Sequence, residues 1–100
     1  MKVEQFYDKN QFRIYGEGKN IFQSYESTIA VIEDNSLTLG KNWDYSHTTL
    51  KHLYLFLNDY IWGLKLEIKE ALQEALNTPN KRAAIQKLID KNIIQYNENL

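Results

Sequence analysis

Thr28-Ile29-Ala30-Val31-Ile32-Glu33, then Asp34-Asn35-Ser36, then Leu37-Thr38-Leu39: these residues decide the fold. The first six are rich in β-branched side chains and apolar on both parities. That predicts a strand covered on both faces and central in its sheet. Asp34-Asn35-Ser36 is a hairpin signal, because Asp and Asn tolerate the left-handed backbone a tight turn requires. Leu37-Thr38-Leu39 then returns as a short strand. Strand, tight turn, strand implies antiparallel pairing.

Working outward toward the N-terminus, Gln11-Phe12-Arg13-Ile14-Tyr15 alternates polar and apolar residues like a half-buried strand. Gly16-Glu17-Gly18-Lys19-Asn20 reads as a turn, and Ile21-Phe22-Gln23-Ser24-Tyr25 as the next strand. Glu26-Ser27 is either a short turn or a bulge in one long bent strand. The prediction is an antiparallel meander over about residues 11–39. The first ten residues carry no pattern that assigns them a role.

Near residue 45 the apolar period changes from two to three-and-four. Leu50, Leu53, Tyr54, Leu57, Ile61 and Leu64 form one face of a helix, with Ser46 or Thr48 as its cap and Gly63 ending or kinking it. Leu64, Ile68, Leu72, Ala75 and Leu76 make a second stripe. Ala84, Ile85, Leu88 and Ile89 make a third, introduced by Thr78 as cap and Pro79 at the first helical position. Helices are predicted at about 47–62, 64–77 and 79–91. Asn92 suits a left-handed stop, and Ile93-Ile94-Gln95-Tyr96 reads as a last extended segment. A half-apolar sheet needs cover, so the fold class is α+β: a small antiparallel meander packed against three helices. One hundred residues make a single domain, 1–100.

The bulk properties restrict the function. The apolar share of 43% and aromatic share of 13% exclude a disordered chain. The net charge is −1, with five cations against seven acids in the first half and seven against six in the second. Neither half is a basic arm, so nucleic acid is not the favoured partner. The absence of cysteine removes disulfides, thiol chemistry and cysteine-bound metals. Met1-Lys2-Val3-Glu4-Gln5 lacks the apolar core of a signal peptide, and no stretch is long enough to span a bilayer. A soluble, cytoplasmic protein is expected.

Chemistry is densest in Asn42-Trp43-Asp44-Tyr45-Ser46-His47-Thr48-Thr49-Leu50-Lys51-His52. His47 and His52 are five residues apart, not one helical turn, and no third histidine exists, so neither metal nor cofactor is expected. Ser46 and His47 are adjacent, a spacing that does not let the imidazole serve the hydroxyl. No Gly-x-Ser-x-Gly elbow or glycine-rich phosphate loop is present, so no enzyme is expected. Two readings remain for this region. Ser46, His47, Thr48, Thr49, Lys51 and His52, with the free N–H groups of the helix start, are candidates for an anion site. Trp43, Tyr45, Phe56, Tyr60 and Trp62 exceed what one helix face buries. Either the helix is buried on two sides, or they are candidates for an interface, with Trp43 and Phe56 or Trp62 expected at the surface in one patch.

Ser24-Tyr25-Glu26-Ser27-Thr28-Ile29-Ala30, followed by Tyr45-Ser46-His47-Thr48-Thr49-Leu50-Lys51-His52, resembles a pattern in small uncharacterised proteins of bacteriophages and mobile elements of low-GC bacteria. That pattern runs Ser-Tyr-x-Thr-x-Ile-Ala, then Tyr-Ser-x-Thr-Thr-Ser-Lys-His at a helix start. This chain has two residues, Glu26-Ser27, where the pattern has one, and Leu50 where it has Ser. The similarity covers roughly residues 20 to 57. It implies a context without a mechanism. The function expected is a non-enzymatic protein-binding module, such as an effector that inhibits a host defence protein, its partner being a host or phage protein. The alternative is a nucleic-acid or nucleotide-binding accessory protein acting through residues 46–52.

Overall fold

The computed structural model describes residues 1–100. Strands β1 (Lys2–Phe6), β2 (Asp8–Gly16), β3 (Lys19–Ser24), β4 (Ser27–Glu33) and β5 (Ser36–Gly40) follow one another as an antiparallel meander. Helices α1 (His47–Tyr60), α2 (Leu66–Leu76) and α3 (Lys81–Asp90) come next, and β6 (Gln95–Asn97) returns to pair with β5 in parallel. The α+β class and the three helices are as predicted. The sheet is larger, because residues 2–10 add β1 and extend β2.

Two-residue turns join β2 to β3, β3 to β4 and β4 to β5. Glu17-Gly18 has φ of 52° and 80°, and Asp34-Asn35 has 54° and 62°. Positive φ at both central residues is what the twist of a tight hairpin demands. Between β3 and β4, Ser24 pairs with Ser27 around Tyr25-Glu26, and Tyr25 sits at φ 54°. Asn is at ease there; a tyrosine is uncommon. The same pair of strands contains a bulge, since Phe22 faces Ala30 while Gln23 faces Thr28. Of the two alternatives at Glu26-Ser27 the turn holds, one residue earlier at Tyr25-Glu26; β3 and β4 are separate strands, and the bulge lies within β4 at Ile29. The extra residue, Ile29, lets Ile29 and Ala30 be buried side by side.

The core lies on one face of the sheet. Phe22, Ala30, Ile32, Leu37 and Leu39 point into it, against Leu53, Phe56 and Leu57 of α1, Ile68 and Leu72 of α2, and Ile85 and Leu88 of α3. On the other face the row Ile14–Ile21–Val31 is only half-buried. The expected cover on both faces of β4 is therefore corrected: the bulge, not a second layer, accounts for its double-sided apolar pattern.

A single 3-10 turn, Ile61–Gly63, ends α1 where Gly63 was expected to. The start of α3 differs from expectation. Asn80, not Thr78, is its cap, accepting from the Ala83 N–H at 3.1 Å. The Thr78 hydroxyl donates backward to the Ala75 carbonyl at 2.8 Å and closes α2. Asn92 takes the left-handed stop at φ 58°. The Lys65 N–H donates to the Asn35 carbonyl at 2.9 Å, tying the β4–β5 turn to the start of α2.

Candidate functional site

The start of α1 is built on Ser46. Its extended backbone (φ −147°, ψ 166°) turns its Oγ back to accept the Thr49 N–H at 3.1 Å. The same Oγ donates to Thr49 Oγ1 at 3.0 Å, and Thr49 Oγ1 lies 3.5 Å from Ser24 Oγ on β3. Ser24 is the cross-strand partner of Gln11. One turn further along α1, His52 donates from Nδ1 to the Thr48 carbonyl at 2.8 Å, and its Nε2 lies 4.0 Å from Asp8 Oδ2. Gln11, Ser24, Thr49 and His52 are all the buried polar residues of the protein. They gather where β2 and β3 meet the start of α1. Gln11 Oε1 alone among their atoms meets no donor in the protein.

Outside this buried node opens a hollow of about 900 Å³. Its lower wall is Ser24, Ser46, Thr48 and Thr49. The β3–β4 turn supplies Tyr25, Glu26 and Ser27, and β2 supplies Asn10 and Phe12. Asn42 Nδ2 donates to Ser27 Oγ at 3.1 Å and Tyr25 N–H to the Asn10 carbonyl at 2.7 Å, which hold the walls together. Tyr25 and Tyr45 both line it, at 59% and 79% exposure. The two stretches quoted for the resemblance, separated in the chain by the fourteen residues 31–44, thus both line one cavity. Glu26 is the only charged residue in its lining.

A second hollow, of about 720 Å³, lies on the other side of α1, against the start of α3. His47 and Lys51 open into it from α1, Lys81 and Arg82 from α3. Arg82 is paired with Asp44 at 2.6 Å.

The six anion candidates therefore do not make one site. Ser46, Thr48 and Thr49 belong to the first hollow, His47 and Lys51 to the second, and His52 is buried and lines neither. A helix turns about 100° per residue, so neighbours in sequence face different ways. The interface candidates are also divided. Trp43 (3% exposed) and Phe56 (0%) are in the core, against the expectation that they are accessible. Phe56 packs on Phe6, Phe22 and Tyr60, with ring centres 5.0–5.9 Å away. Tyr60 is half-buried under the Arg13 guanidinium, 4.6 Å from its ring centre. Only Tyr45 and Trp62 are exposed, and they flank α1 at opposite ends, roughly 20 Å apart at 1.5 Å per residue. The single aromatic patch does not form. Tyr25, which sequence reasoning did not select as a site residue, is the ring that stands with Tyr45. Its place in a two-residue hairpin turn exposes it, and no periodic pattern signals that.

No three His, Asp or Glu side chains converge as a metal site would require, and no helix is long and apolar enough to cross a membrane. Fold and site together define a small one-layer-covered antiparallel sheet with a tyrosine-flanked polar hollow beside a helix start. Residues 1–71 match the model of a family of unknown function, DUF8033, and the chain belongs to that family. The matched span contains the whole lining of the first hollow, whereas the second draws on Lys81 and Arg82 beyond it. No curated protein matches the chain, and no solved structure does.

Proposed function

We propose that this protein is a non-catalytic binding module that seats a segment of another protein in the first hollow. The observation that carries this reading is the pair Tyr25 and Tyr45, both exposed and both lining one cavity. Tyrosine offers a large contact area with few rotors, which favours it as an interface anchor. The hydroxyls and amides between the two rings, Asn10, Ser27, Asn42 and Thr48 among them, suit the donors and acceptors of a peptide backbone. Phosphate is a poorer fit, since the lining holds an acid and no cation.

Hydroxyl chemistry has little support here. The Ser46 Oγ is engaged twice with Thr49, and His47 opens on the far side of α1. His52 Nδ1 is held by the Thr48 carbonyl, so no base addresses a nucleophile. The resemblance to mobile-element proteins supports an effector that occludes a host protein, such as a defence protein.

The test is capture from a lysate of the bacterium that encodes the chain, with wild type compared against Tyr45→Ala and Tyr25→Asn. Asparagine is chosen because it tolerates positive φ. Each replacement is expected to weaken the captured complex by about 2 kcal/mol, roughly thirtyfold in affinity, while the fold is kept. A partner held equally well by both variants ends this reading.

A further inference from the structure

The second hollow brings together cations from distant parts of the chain. Lys51, exposed on α1, and Lys81 and Arg82, at the start of α3, line it with His47. The sole carboxylate in contact is Asp44, which takes Arg82. Lys51 and Lys81 belong to no ion pair; the Lys81 ammonium reaches only the Thr78 carbonyl, at 3.4 Å. Two helices begin here, and the N–H groups of Lys81 and Arg82 meet no acceptor in the protein. Aligned peptide dipoles add to the positive potential at such ends. Asp44 neutralises Arg82 from outside the lining, and the two lysine cations of the hollow are left over.

We propose that this hollow is an oxyanion site that receives the acidic side chains of a protein partner. It rests on the protein-binding reading and adds the partner's chemistry: an acidic segment lying beside the part that enters the first hollow. Nucleic acid is the poorer occupant. A phosphate backbone is held by a track of cations, whereas this is one cluster on a chain of net charge −1.

The test is an amide chemical-shift titration of the full chain at low ionic strength with a hexaglutamate peptide, which needs no natural partner. Saturable shifts are expected at Lys51, Lys81 and Arg82. In the double variant Lys51→Gln/Lys81→Gln, with the rest of the spectrum unchanged, affinity is expected to fall about tenfold. Asp44→Asn frees Arg82 and is expected to tighten hexaglutamate binding several-fold, which loss of a merely structural ion pair does not do. The proposal is overturned by absent shifts, by affinity undiminished in the double lysine variant, or by Asp44→Asn binding no more tightly. Tighter binding of a thymidine oligonucleotide of equal charge overturns it in favour of nucleic acid. Tyr25→Asn and Tyr45→Ala are expected to leave the titration unchanged, so a failure at one hollow is told apart from a failure at the other.

Discussion

Ser46 makes two hydrogen bonds to a single residue, and they act on different problems. Accepting the Thr49 N–H satisfies an orphan donor of the helix start, and donating to Thr49 Oγ1 satisfies a buried hydroxyl. Ser46→Ala removes both, leaving Thr49 Oγ1 with only Ser24 at 3.5 Å. The expected loss is about 1–2 kcal/mol by urea unfolding. Thr48, exposed and with no side-chain hydrogen bond, should tolerate alanine within about 0.5 kcal/mol. A loss at Thr48 matching that at Ser46 would refute this assignment of the cap. The sequence narrows the cap to these two hydroxyls and goes no further. The choice depends on which residue keeps extended backbone, and that follows from where the chain leaves β5.

At the scale of elements, α1 carries two tyrosines, Tyr54 and Tyr60, whose hydroxyl pKa values are raised. Burial is the main cause for each; the Arg82 charge opposes it at Tyr54 and the Arg13 charge at Tyr60. A pKa higher in the folded than in the unfolded chain means that folding favours the protonated phenol. The resulting stabilisation is complete below the ordinary tyrosine value of 10.0 and is lost as pH rises through the folded values. Unfolding free energy is therefore expected to hold steady at neutral pH and to fall above pH 10.0. The double variant Tyr54→Phe/Tyr60→Phe should flatten that fall. Tyr7 also has a raised pKa, chiefly through its hydrogen bond to Asp59, so flattening should be partial. An unchanged alkaline slope in the variant excludes these two rings as its source. The helical period that defines α1 is plain in Leu50, Leu53, Leu57 and Ile61. Which rings leave the stripe for solvent is not, because it depends on what the sheet brings opposite them.

Phe6 joins the first strand to the helical layer. It is 5% exposed, with ring centres 5.8–6.4 Å from Phe22, Phe56 and Tyr60. Phe6→Ala is expected to cost about 3–5 kcal/mol, measured by urea unfolding. Against a total of roughly 5–15 kcal/mol, that is enough to threaten the fold. A cost below about 1 kcal/mol shows that β1 is an appendage rather than part of the core. This contact explains where sequence reading stopped. Gln11 to Leu39 and Leu50 to Leu88 carry their periods openly, since repeated burial on one face leaves a repeat in the chain. So do the left-handed turn at Asp34-Asn35 and the stop at Asn92, since few residues accept that backbone. The sequence by itself therefore determined the α+β class, the order of sheet before helices, and the helix start as the chemically dense point. Tertiary structure alone decided that Phe56 and Trp43 are core, that Tyr25 stands beside Tyr45, and that Lys81 joins Lys51. Each of these is a meeting of segments distant in the chain, and periodicity records only which way a side chain faces, not what waits for it there.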